Sequence, residues 1–572
     1  MIFYFLFFFI NYYTIFAVEY NHPEFDWYTF ETAHFKVHYH KETEMTAREA
    51  ATVAEKIYYP VTNFYEYEPK SKTHLILIDP DDYSNGAAYY YDNKIMIWAS
   101  PLDFELRGSH RWLQNVITHE FVHIISLQKS MKMGTRIPGL YLQYMSYEQE
   151  KRPDVLYGYP NKIISYPIPG AIVPPWLAEG VAQYMYDSAD WDHWDSHRDM
   201  ILRDRVLNNN LLTFDEMNTF GKKGIGNESI YNSGFALSTY LANEFGSESL
   251  KNIMDELSSP FQFSINNAMK NTFGVSGYDI YENFKISLEN KYLRYKTAID
   301  VNVREGVILR DNGTKNIYPK WNPKANSFAY LSNKNNDFFN QTDLYLFNLE
   351  NNTEKKIKSS VHSAPSWNQD GNVIYYSKKA KYPNKVGSRF YDIYSYDLKT
   401  EEEKRLTIDK RAFNPVFVDL DSSIYYLSTY DGGQDIYKLD LKTNKSTKIT
   451  DFENRPMLSF LTYSRQEKSL FYDITTHHYR DIARYDLITK TIDFKYNEAS
   501  YDERNIDFSE NGISIYCSDK NGIFNLYMDD KNLNKSGYIS NVIGGVFMPD
   551  ISEDGRVLFS QYKNGQYVIS YL

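Results

Sequence analysis

From about residue 312 to the C-terminus the chain repeats itself, and no other feature restricts its fold as strongly. Six segments open with a polar residue followed by an apolar or aromatic pair: Asp343-Leu344-Tyr345, Asp392-Ile393-Tyr394, Asp435-Ile436-Tyr437, Asp481-Ile482-Ala483, Asn525-Leu526-Tyr527 and Gln566-Tyr567-Val568. They fall between 41 and 49 residues apart. A second marker, Pro-x-aromatic, precedes an apolar strand at Pro319-Lys320-Trp321, Pro365-Ser366-Trp367 and Pro415-Val416-Phe417. A period near 45 with about four strands per unit is the mark of propeller blades. Six copies predict an all-β six-bladed propeller over residues 301–572. The last copy ends about one strand short, and residues 306–310 lie just before the first. That earlier segment is expected to supply the missing outer strand and close the ring, which leaves no exposed sheet edge there.

The repeats resemble the WD40-like propeller repeats of the TolB family over about 260 residues, best at Pro365-Ser366-Trp367-Asn368-Gln369-Asp370-Gly371 and Pro549-Asp550-Ile551-Ser552-Glu553-Asp554-Gly555. Residues 19–300 follow a different grammar. Residues 34–40, 73–78 and 94–98 read as strands, the last after a turn at Ser84-Asn85-Gly86, and 44–65 reads as an amphipathic helix. Helices then dominate, at about 111–129, 175–187, 195–206, 230–245, 247–257, 262–272 and 277–297. The chain of 572 residues is therefore multidomain, an α+β unit followed by a propeller.

Residues 2–18 carry no charge and are largely apolar or aromatic, Ala17 is a small residue suited to cleavage, and Glu19 is the first acidic residue. This segment reads as a signal peptide or N-terminal membrane anchor, so the protein is expected to be exported, to a periplasm or a cell surface. A single cysteine, Cys517, excludes an internal disulfide and any cysteine-built zinc site. The net charge of −12 argues against nucleic acid as a partner.

The chemistry concentrates at Thr118-His119-Glu120-Phe121-Val122-His123, an H-E-x-x-H motif inside the helix at about 111–129. Residues four apart share a helix face, so both imidazoles can address one ion, with Glu120 beside the open coordination position. A catalytic zinc needs a third protein ligand. The extension that would supply a third histidine is absent, because Ser126 and Lys129 stand where Gly and His would be. Glu179, in Trp176-Leu177-Ala178-Glu179-Gly180-Val181-Ala182-Gln183-Tyr184, is an acidic residue on an otherwise apolar helix. A buried lone carboxylate is costly, and a Zn²⁺ partner would stabilise it. Its small neighbours are expected to let this helix pack closely on the first.

These two motifs resemble the gluzincin peptidases, the thermolysin-like group, and in particular the peptidase MA-like branch with W-x-x-E-G-x-A-x-Y. The resemblance spans about residues 30–290 and implies a zincin-type metallopeptidase fold. It implies one Zn²⁺ held by His119, His123 and Glu179, with Glu120 as general base. It implies Gln183 as a partner to a ligand histidine, where thermolysin has Asp, and Tyr231 as the donor to the oxyanion. The strand at 94–98, with Ile95 and Ile97, is expected to be the edge along which a peptide is laid. Fifty-five residues separate His123 from Glu179, so 130–174 is a Pro- and Tyr-rich insertion that is expected near the cleft and able to cover it. His193 and His197 read as a solvated helix start, and His477-His478 as a propeller loop without a role.

The sequence thus points to an exported zinc metallopeptidase acting on polypeptides, an endopeptidase in the absence of any motif that would anchor a free amine. The propeller is expected to bind substrates or an envelope protein partner, or to restrict access to the cleft. Two other functions compete: a catalytically inactive envelope binding protein acting through the propeller, and a non-peptidase zinc hydrolase using the same site.

Overall fold

The computed structural model describes residues 22, 24–147, 149, 160–188, 193–221, 224–324, 326–336, 338–385 and 387–572. The segment 2–18, read above as a signal or anchor, lies outside the described residues. Among those described, no helix is long and apolar enough to cross a membrane.

The first unit is built on a mixed sheet of β1 (Trp27–Glu31), β2 (Phe35–His40), β3 (Thr73–Ile78), β4 (Gly86–Tyr89) and β5 (Lys94–Trp98) in the order β1-β2-β3-β5-β4. Strands β2, β3 and β5 run parallel, while β1 and β4 lie antiparallel at the two edges. Alternation along β3 and β5 turns Leu75, Leu77, Ile95 and Ile97 into the core. Helix α1 (Glu44–Tyr65) returns the chain from β2 to β3 and lays Ala47, Ala50, Ala54, Ile57 and Val61 against the same core. It stops at Glu66, whose left-handed backbone (φ 49°) lets its N–H reach back to the carbonyls of Thr62 and Asn63. Helix α2 (Trp112–Lys129) covers the sheet beside it with Ile117, Phe121, Ile124 and Ile125. After α2 come the strands β6 (Gly139–Tyr147) and β7 (Pro160–Pro169) and the helices α3 (Pro175–Ser188), α4 (Ser196–Leu207), α5 (Glu228–Phe245), α6 (Glu248–Ser258), α7 (Ile265–Phe273) and α8 (Gly277–Asp300). Among the described residues strands β6 and β7 pair only with each other, as an antiparallel ribbon with exposed Tyr141, Tyr144 and Tyr166. This ribbon, together with β1 and β4, is missing from the sequence reading.

Residues 307–310 and 316–571 form the six-bladed propeller, each blade a four-stranded antiparallel sheet. Five blades are sequential, over 316–358, 366–405, 412–448, 457–496 and 503–538. The sixth takes three strands from 545–571 and its outer strand from β8 (Val307–Arg310), in register Ile569↔Arg310, Ser570↔Ile308 and Tyr571↔Val307. The ring closes as expected, joined between its two ends.

The repeated polar marker has a physical cause. Asp392 is wholly buried and accepts from the Thr407 hydroxyl (2.6 Å) and from the backbone N–H groups of Asp409 (3.0 Å) and Lys410 (3.1 Å), while Thr407 accepts from the N–H of Ile393 (2.9 Å). Asp435 with Thr450, and Asn525 with Ser540, repeat the arrangement in blades three and five. In these three blades the marker side chain thus pins the segment leaving the outer strand to the start of the third strand, satisfying backbone donors that burial would otherwise leave unpaired.

The propeller packs on the first unit through charged groups. Asp431 caps the start of α1, accepting from the N–H groups of Met45 (2.9 Å) and Thr46 (3.0 Å). Arg411 pairs with Asp79 and Asp82, Arg480 with Asp103 (2.7 Å) and Lys315 with Glu105 (2.7 Å), and Arg203 donates to the carbonyls of Ile543 and Gly544. Replacing Asp392 by Ala removes the acceptor for a buried hydroxyl, two backbone donors and Arg405 at once. The propeller is expected to lose about 3 kcal/mol, and Asp392→Asn less, read as shifts in its urea unfolding midpoint.

Candidate metal centre

Helix α2 places His119 and His123 one turn apart on one face, and α3 brings Glu179 to them. His119 Nε2 lies 2.9 Å from Glu179 Oε2 and 2.9 Å from His123 Nε2, and His123 Nε2 lies 3.3 Å from Glu179 Oε2. All three residues are buried. A tetrahedral zinc with nitrogen and oxygen bonds of 2.0–2.1 Å holds its ligands about 3.3 Å apart, so the two imidazole nitrogens and the carboxylate oxygen fit such an ion. Burial, reinforced by the neighbouring His123, pushes His119 down to about 4, the neutral form a ligand requires. Burial opposes charge on Glu179 and His123, yet their mutual attraction outweighs it: Glu179 is held below the usual carboxylate range and His123 above the usual imidazole value.

Glu120 faces the adjoining cavity of about 190 Å³, whose lining includes Gly86, Arg107, His119, Tyr231 and Asn340. Burial pushes its carboxyl up to about 7, against the pull of His123 and a hydrogen bond from the backbone N–H of Ala88. Gly86 and Ala88 belong to β4, the outer strand of the sheet beside α2. A Cβ on Gly86 would sit 2.7 Å from Glu120 Oε1 and 2.5 Å from Val116 Cγ2, so only glycine allows this approach. Tyr231 stands on α5, its ring stacked 6.1 Å from that of His119. The Arg107 guanidinium lies 4.7 Å over the Tyr231 ring and pairs with Glu228 at 2.9 and 3.0 Å. Burial and the nearby Glu179 hold the Tyr231 phenol well above its ordinary value, and so protonated.

The structure brings His119, Glu120, His123, Glu179 and Tyr231 together, and corrects five other expectations. Strand β5 is not an edge, since it pairs with β3 on one side and β4 on the other, and Ile95 and Ile97 are fully buried in the core. Neither can touch a substrate; the exposed pairing edge is that of β4, hidden in the sequence because Gly86 reads as a turn. Gln183 is buried one turn beyond Glu179, but its Oε1 accepts no hydrogen bond and neither does His123 Nδ1 donate one, so the expected bond to a ligand histidine is not made. Gly180 packs not on α2 but on α5: its Cβ would lie 2.3 Å from the Gly234 carbonyl oxygen, and a Cβ on Gly234 would lie 2.2 Å from that of Trp176. No described residue of 130–174 lines the cavity before Glu120, where the insertion was expected. His197 starts a helix capped by Asp195, yet it is buried against Phe524 and Phe547 of the propeller, and His193 lies against Tyr479; neither forms a solvated helix start. Arg107 and Asn340, absent from the sequence reading, stand in polar loops without a motif to mark them.

The chain matches no protein-family model and no curated protein. Among solved structures, TolB from Acinetobacter baumannii is similar over 41% of this chain and 57% of its own, at 21% identity and a TM-score of 0.34. The putative TolB from Agrobacterium tumefaciens is similar over 45% of this chain and 91% of its own, at 15% identity and 0.35. The β-propeller domain of the Trilobed protease from Pyrococcus furiosus is similar over 45% and 93%, at 12% identity and 0.32. The chain thus spans 57% of the length of the first of these, and at such identities and scores the likeness carries no assignment of activity.

The Gly180–Gly234 contact sets how closely α3 and α5 approach, and with it the distance from Glu179 to Tyr231. Gly234→Ala is expected to force the helices apart and to lower the stability of the first unit by about 2 kcal/mol, read in thermal unfolding.

Proposed function

We propose that this protein is a zinc metallopeptidase of gluzincin type, an exported endopeptidase that hydrolyses polypeptides at the His119/His123/Glu179 centre. The observation that carries this reading is the meeting of His119, His123 and Glu179 beside a cavity that His119, Glu120 and Gly86 of the outer strand β4 line. The donors and their spacing fit Zn²⁺, which when bound supplies a Lewis acid and lowers the pKa of water toward neutrality.

The remaining roles belong to the chain itself. The backbone of β4 pairs with an extended substrate and lays its scissile bond along the cavity. Glu120, aimed by the Ala88 N–H, takes a proton from the water that attacks the carbonyl carbon and passes it to the leaving nitrogen. Its raised pKa suits both halves of that transfer. Tyr231, kept protonated, donates to the oxygen on which negative charge develops, and Arg107 holds the ring in place from above. Asn340 brings the propeller to the rim of the cavity, which fits a propeller that selects what enters or binds an envelope partner.

Glu120→Gln is expected to lower kcat on an unstructured polypeptide about 10²- to 10⁴-fold while leaving about one zinc at this centre, whereas Glu179→Ala loses that zinc. Full hydrolysis by Glu120→Gln would refute the assignment of the base. A parent that binds no zinc through Glu179 and cleaves nothing would leave the propeller as a binding module. Gly86→Ala is expected to push the Glu120 carboxylate aside and lower kcat by about tenfold or more with zinc content unchanged, as mass spectrometry and product assays would show.

A further inference from the structure

Three further histidines meet outside this centre. His110 ends the loop between β5 and α2, and His193 precedes α4. His478 lies in the turn between the blade-four strands Ser469–Thr475 and Arg480–Asp486. Their ring centroids are 5.6 Å (His110–His193), 6.0 Å (His110–His478) and 5.5 Å (His193–His478) apart, and one ring nitrogen of each lies within 4.8 Å of the other two. Among the described residues this is one of two groups with such spacing, the other being the centre already described.

The three come from separate stretches of chain, two on the first unit and one on the propeller. His110 is buried, while His193 and His478 are half-buried and so partly open to solvent. Imidazole nitrogens without carboxylates select divalent transition ions such as Zn²⁺, Co²⁺, Ni²⁺ or Cu²⁺ over Ca²⁺ and Mg²⁺, which prefer oxygen. Asp195 Oδ2 lies 3.5 Å from His110 Nε2, the place of a carboxylate that orients a ligand ring. Arg198 also approaches His110 Nε2, at 3.3 Å, and Asp195 balances its charge at 2.6 Å. A ligand separation of about 3.3 Å around Zn²⁺ requires the rings to draw in, which the two half-buried side chains allow.

We propose that His110, His193 and His478 bind one divalent transition-metal ion across the boundary between the helical unit and the propeller. The ion ties blade four to His110, two residues before the start of α2, the helix that carries His119, Glu120 and His123. The site does not depend on the peptidase reading.

The test uses the full chain stripped with chelator, reloaded with excess Zn²⁺, passed through gel filtration and assayed for metal per chain. Four proteins are compared: the parent, the double variant His123→Ala/Glu179→Ala, His478→Ala and His193→Ala, each checked for native circular dichroism. The expected result is two zinc ions in the parent and one in each of the others, with Zn²⁺ raising the unfolding temperature of the double variant. One zinc in the parent that persists in the double variant and is lost in His478→Ala also establishes this site, and removes the peptidase centre instead. A double variant that binds no zinc, or His478→Ala and His193→Ala that both keep the parent's full content, overturns the proposal.

Discussion

A carboxylate buried between two imidazoles is the constraint on which the helical unit turns. Glu179 is desolvated on α3, and its attraction to His123 on α2 holds the carboxyl low and the His123 imidazole high, while burial holds His119 low. The three atoms meet because α3 packs beside α2, and α3 is in turn locked to α5 where Gly180 meets Gly234. An ion in the same place would balance the Glu179 carboxylate and relieve the crowding of two imidazole nitrogens at 2.9 Å.

Besides the direct approach of Asn340 to the cavity, the propeller reaches this centre through residues 99–111 between β5 and α2. Asp103 meets Arg480, Glu105 meets Lys315, Ser109 accepts from Arg480 at 2.8 Å, and Phe104 packs edge-on against Phe339. On its other side the same stretch offers Arg107 to Glu228 and Tyr231. The charge pairs among these contacts are poor as a source of stability but demanding in geometry. A shift of the propeller would therefore be felt at Tyr231 without any contact between blade and ligand residues.

What the sequence made legible follows from periodicity. The blades and the helices show themselves because a period near 45 and a stripe at 3.6 survive in a single sequence, and the H-E-x-x-H pair is a local spacing on one helix. The blade marker was visible before its cause, since the Asp392–Thr407 link joins residues 15 apart across a turn that no pattern describes. The errors share a different origin. Gly86-Ala87-Ala88 is too short and too small to read as a strand, so its edge passed to β5, whose Ile95 and Ile97 looked apolar because they are core. His193, His197 and His478 looked solvated or idle because their surroundings in sequence are polar. Their surroundings in space are set by the packing of two units, which no local window contains.

The site's dimensions bear on what a peptidase centred here would accept. A cavity of about 190 Å³ is smaller than the 300–1,000 Å³ of common ligand pockets, and Asn340 of the propeller closes one side of it. A folded domain cannot present a bond there. An extended segment can, because pairing with β4 uses backbone groups alone and needs no wide pocket. Selection by this arrangement would act on conformation first, admitting chains that are already unfolded, and on side-chain identity only where Arg107, Tyr231 and Asn340 meet the strand that is bound.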